Sequence, residues 1–80
     1  MTEPVLEHQP PEGFTPSRGR GPFSTRNGPF YHRRTQAGVE RGLYVLDRHC
    51  NSFGLMHGGM IATFLDGLLA AQAHHATGRV

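Results

Sequence analysis

The sequence predicts an α+β fold, a β-hairpin followed by one long helix. Three observations carry that expectation. Residues Glu40 to His49 alternate, with Leu43, Val45 and Asp47 set against Tyr44, Leu46 and Arg48, and a period of two is the pattern of a strand. Gly28-Pro29 and Ala37-Gly38 punctuate the preceding run as turns. The stretch Met60 to Ala73 is apolar with few interruptions and reads as a helix.

Taken in order, residues 1–22 hold five of the six prolines, with Val5, Leu6 and Phe14 as isolated apolar positions. Such a segment reads as mostly irregular chain, with a short helical turn near Pro4–His8. It divides the molecule into a tail, 1–22, and a folded part, 23–80. Phe30 to Gln36 is the first expected strand and Glu40 to His49 the second, paired antiparallel. Cys50 to Met56 is expected to be loop. The helix is expected from Gly58 or Gly59 to about His75, with Thr77-Gly78 ending it and Arg79-Val80 opening a further strand.

At 80 residues the chain has room for one small domain, and a chain of this size buries only about 60–65% of its unfolded surface. Hydrophobic residues make up 36%, so the expected core is small. One cysteine rules out an internal disulfide framework. No apolar run precedes residue 25, and Glu3, Glu7 and Glu12 fall there, so no secretory signal is read. The run from Met60 to Ala73 is interrupted by Thr63, Asp66 and Gln72 and is shorter than the ~20 residues of a membrane span. These features predict a soluble, cytoplasmic protein without a membrane partner. All eight basic residues are Arg, and five of them lie in the first 34 residues against three Glu. A basic segment could touch phosphates, but its composition reads as a solvated tail, and no nucleic-acid partner is expected.

The chemistry is expected in the stretch Asn51 to Asp66. A polar loop with Asn51, Ser52 and Gly54 passes through His57, Gly58 and Gly59 into the helix, and Asp66 follows two turns on. Paired glycines at a helix start let a ligand approach the backbone. The first amide N–H groups of a helix have no internal partner and carry positive dipole character, so they can polarise a carbonyl or hold an oxyanion. Asp66 stands among Phe64, Leu65, Leu68 and Leu69, and Asp is rarely buried unless paired. Gly67 beside it costs about 1 kcal/mol relative to Ala in a helix. Two broken rules at adjacent positions suggest a site.

The pattern Asn51-x-x-Gly54-x-x-His57-Gly58-Gly59, with Asp66 seven residues after the second glycine, resembles the PaaI-type acyl-CoA thioesterases of the hotdog-fold superfamily. The likeness runs more loosely through Gly28-Pro29-Phe30-Tyr31 and covers roughly residues 21 to 76. It implies an incomplete hotdog fold, the N-terminal hairpin and central helix, with the later strands missing. It implies a thioesterase acting on acyl- or aryl-acyl-CoA. In that family the helix carboxylate, here Asp66, is the principal catalytic residue, acting as general base or nucleophile. The Gly58 amide would polarise the thioester oxygen. Asn51 would position the water or thioester, and His57 would orient the loop or bond the acyl part. Met56, Gly59 and Thr63 are the expected substrate-binding neighbours. Coenzyme A enters only as part of the substrate; no other cofactor and no metal is expected.

Spacing adds a constraint. Gly58 and Asp66 are eight residues apart, or about 12 Å along one helix. An Asp side chain cannot reach a carbonyl held at its own Gly58, so a shared thioester needs two helices. The expected assembly is a homodimer or homotetramer, one subunit giving Asn51, His57 and Gly58 and the other Asp66. Thr63, Asp66, Gly67 and Ala70 are read as a small-residue face for the partner helix. The alternatives are a non-catalytic truncated hotdog fragment that binds acyl-CoA or only oligomerises, and a dehydratase or hydratase of the same fold. Cys50 as a nucleophile would need His49 or His57 as its base. Asn51 has a plainer reading as the residue that closes its own loop.

Overall fold

The computed structural model describes residues 9–18 and 21–77. The turn expected at Pro4–His8, the Gly78 stop and the strand expected at Arg79-Val80 lie outside them. The elements are β1 (Thr15–Pro16), α1 (Gly21–Asn27), β2 (Tyr31–Thr35), β3 (Gly38–Gly42), a 3₁₀ turn (Asp47–His49) and α2 (Gly58–Thr77). The fold is α+β: a three-stranded antiparallel sheet in the order β1-β2-β3, with one long helix laid against β3.

The hairpin forms where the sequence puts it, though with shorter strands. Thr35 pairs Gly38 and Tyr31 pairs Gly42 across a two-residue turn of Gln36 and Ala37. Arg33 and Glu40 face each other in this register, and the Arg33 Nε donates to Glu40 Oε1 at 2.8 Å. Cross-strand charge pairs of this kind contribute a few tenths of a kcal/mol, about 0.2–1. Thr15 and Pro16 add a third strand opposite His32 and Tyr31, in a stretch whose composition reads as irregular.

The second strand does not run to His49. It ends at Gly42 because its partner runs out: β2 begins at Tyr31, and Pro29 beyond it has no N–H to extend the ladder. Leu43 to Leu46 leave the sheet, Tyr44 and Val45 are exposed, and Leu46 turns back into the core. The short helix α1 was not legible either. None of its residues is buried, so no apolar period marks it; Thr25 and Asn27 hold it by bonding back to the carbonyls of Gly21 and Phe23.

The core is small, as expected: among the described residues it is Phe30, Tyr31, Val39, Leu46, Met60 and Ala71, with His49 as the buried polar side chain. Tyr31 meets Tyr44 edge-on at 5.8 Å, a favoured geometry for aromatic pairs. Met60, Phe64, Gly67 and Ala71 recur at three- and four-residue spacing along α2, and Met60 and Ala71 are buried. Two polar side chains fasten this helix to β3. Arg41 lies between the rings of Phe30 and Phe64, 4.1 and 5.3 Å from their centroids, and donates through Nη1 to the Phe64 carbonyl at 2.7 Å. Gln72 accepts the Val39 N–H at 3.2 Å and donates to the Val39 carbonyl at 2.9 Å. Gly38, at φ +147°, leaves the space that Gln72 fills.

Candidate functional site

The loop from Cys50 to Met56 is built on His49. Its ring is 2% exposed. The Leu46 N–H donates to Nδ1 at 3.0 Å, so the ring proton sits on Nε2, which donates to the Asn27 carbonyl at 2.8 Å. The His49 carbonyl in turn accepts the His57 N–H at 2.8 Å, and Cys50 bridges Met56 just inside. The base of the loop is therefore tied to α1 and to the core through one imidazole.

Asn51 closes the loop from within. Its N–H donates to the Leu55 carbonyl at 2.7 Å, and its carbonyl accepts the Gly54 N–H at 3.0 Å. Its Oδ1 accepts the N–H groups of Phe53 and Leu55 at 2.9 and 3.1 Å. Gly54 takes φ +77°, which a side chain would resist. The loop thus holds Phe53, 86% exposed, and Leu55 out from the surface.

His57 is the N-cap of α2. Its carbonyl accepts the Met60 and Ile61 N–H groups, and its Nδ1 accepts the Gly59 N–H at 2.9 Å. The imidazole does here what Ser or Asp does at other helix starts. The Nδ1 acceptor role leaves Nε2 as the face available to a ligand. The Gly58 N–H, one position earlier, has no acceptor among the described residues, and a methyl group at Gly58 would meet nothing within 4 Å. An N–H at a helix start with open space beside it can donate to a carbonyl or an oxyanion. Thr63 bonds back to the Gly59 carbonyl at 2.9 Å. Met56 is half-buried beside this end.

Asp66 is exposed. Eight residues at about 100° each turn it roughly 80° around the helix from Gly58 and carry it about 12 Å along. His57, Gly58 and Gly59 make up the helix start, Asn51 closes the loop that precedes it, and Asp66 stands apart from them on the same chain. Its neighbour Gly67 has a structural cause. A Cβ there would fall 1.9 Å from the Arg41 Nη1, so this glycine faces the sheet and does not belong to a small-residue face with Asp66. The face turned from the sheet carries Ala62, Leu65, Asp66, Leu69 and Ala73, all exposed.

The cysteine alternative loses its bases. Both His49 nitrogens are engaged away from the thiol, and the His57 Nδ1 caps the helix. Cys50 Sγ lies 3.5 Å from the Leu46 carbonyl. Among the described residues no three of His, Cys, Asp and Glu gather to hold a metal ion, and no helix is long and apolar enough to cross a membrane.

Fold and site together define an α+β chain whose polar loop delivers a glycine-rich helix start, with a carboxylate farther along the same helix. A curated protein of Pseudomonas aeruginosa described as "Putative esterase" is 37% identical over 57 residues, which is 70% of this chain. The chain spans 42% of that relative's length. No family model matches the sequence, and no solved structure matches it.

Proposed function

We propose that this chain carries part of a thioester hydrolase of the hotdog type, acting on acyl- or aryl-acyl-CoA. The single observation behind the reading is the start of α2, where the Gly58 N–H has no acceptor among the described residues and the backbone beside it is open, on a helix that bears an exposed carboxylate. The Gly58 N–H polarises the thioester carbonyl. Asp66, as general base or nucleophile, attacks it directly or through water. The His57 Nε2–H and the Asn51 carboxamide nitrogen border the acyl or thioester end, with Met56, Gly59 and Thr63 as neighbours. Coenzyme A is needed only as part of the substrate. The ~12 Å between Gly58 and Asp66 along one helix favours a site shared by two subunits of a homodimer or homotetramer. The esterase description of the Pseudomonas relative supports hydrolysis of an acyl bond.

A second reading has its own observation. The Asn51 oxygen and the His57 Nδ1 are both spent on local backbone N–H groups. Those bonds would be made equally by a non-catalytic fragment that binds acyl-CoA or only oligomerises. The test is steady-state hydrolysis of a panel of acyl- and aryl-acyl-CoAs by the full natural protein and its Asp66→Asn and Asn51→Ala variants. Asp66→Asn is expected to lower kcat by about 10²-fold or more with little change in KM. Mixing the two inactive variants is expected to restore activity through a heterodimer with one intact site. Wild-type rates in Asp66→Asn would overturn the assignment; confirmed subunit exchange without recovery would overturn the shared site.

A further inference from the structure

We propose that Arg41 is a positioning residue for Asp66, and that Gly67 is the slot kept open for its guanidinium; this rests on the reading of Asp66 as the reacting carboxylate. Three observations converge on one turn of α2. The guanidinium is held between Phe30 of the strand entry and Phe64 of the helix. It donates to the Phe64 carbonyl at 2.7 Å, two residues before Asp66. One residue after Asp66, a Cβ at position 67 would lie 1.9, 2.5 and 2.7 Å from Nη1, Cζ and Nη2.

A helix docked by apolar contacts alone can slide or roll by a fraction of a turn at small expense, because such contacts are not directional. A fork-shaped cation bonded to one carbonyl and filling one glycine notch is directional. It fixes both the rotation and the axial position of the turn that carries Asp66. The glycine explains itself in the same way: its poor helix propensity is tolerated because any larger residue would evict Arg41. Lysine could not replace the arginine, since it has no plane to lie between two rings.

The test uses the full natural protein with Arg41→Met, Gly67→Ala, the double variant and Asp66→Asn, each measured for kcat, KM and Tm. Arg41→Met and Gly67→Ala are each expected to lower kcat about ten- to a hundred-fold, the scale of a 1 Å misplacement, while KM moves less than about two-fold because the Gly58 end is untouched. The double variant is expected to be no slower than Arg41→Met alone, since the slot is already empty. Gly67→Ala is expected to lower Tm while Arg41 is in place. In the Arg41→Met background it is expected to raise Tm, because only helix propensity is left there. If Asp66→Asn is inactive but the Arg41 and Gly67 variants keep their kcat, or their losses simply multiply, the positioning role is wrong and the thioesterase reading stands. If Asp66→Asn keeps full activity, both fall.

Discussion

Tyr31 shows how one side chain sets a limit on the fold. Its ring is in the core beside Tyr44, and burial first, then the nearby Tyr44 hydroxyl, pushes its own hydroxyl above the ordinary value, which is about 10. The folded chain therefore keeps the Tyr31 proton at a pH where the unfolded chain has begun to lose it. Stability from this source is complete below about pH 10 and is lost as pH rises from there through the raised folded value. Melting temperatures taken from about pH 8 to about pH 11 should fall along the upper part of that range, and Tyr31→Phe should flatten the fall. An unchanged slope in the variant would assign the alkaline loss elsewhere. The residues that hold the candidate site were legible to different depths. Asn51, Gly54 and Gly58 stand out because loops and helix starts demand specific chemistry of them. His49, Arg41 and Gln72 did not, because each acts on a backbone group more than twenty residues away, and no local pattern records such a partner.

At the scale of elements, the hairpin and α2 were readable, α2 from its Gly58 start to its end at Thr77, and the end of the second strand was not. Alternation continues from Gly42 to Arg48 in the sequence, but a strand needs a neighbour, and the neighbour stops at Tyr31. The joint between β3 and α2 gives a sharp test. Gly38 combines φ +147° with a Cβ position 2.4 Å from the Gln72 Oε1. Gly38→Ala is expected to destabilise by about 1–3 kcal/mol through the backbone conformation, with a further loss from displacing Gln72. Urea denaturation of Gly38→Ala with and without Gln72→Ala separates the two. The second substitution should cancel the steric part alone, so the pair should be non-additive. Full additivity would mean that Gln72 does not occupy the space beside Gly38.

For the molecule as a whole, the decisive quantity is uncovered apolar surface. Ile61, Leu65 and Leu69 are 44, 49 and 69% exposed along one side of α2, while the sheet covers the opposite side. The sequence already carried this imbalance, because a helix apolar around most of its circumference asks for cover around most of it. Residues 1–80 are expected to associate with rising concentration in sedimentation velocity, and Leu65→Gln with Leu69→Gln is expected to suppress that association. A wild-type chain that stays monomeric across a roughly hundred-fold concentration range would contradict the expectation.

The Gln72 amide bonds Val39 as an adjoining strand would, one donor and one acceptor side by side. It is a strand one residue long, borrowed from a helix. The outer margin of β3 is thereby closed to newcomers at that point: an arriving chain must claim the same N–H and the same carbonyl. Growth of the sheet at Val39 and attachment of the helix at Gln72 exclude each other. Any intruder that succeeded would have to displace the Gln72 amide first, and would leave Arg41 and the buried Met60 and Ala71 to hold the helix alone.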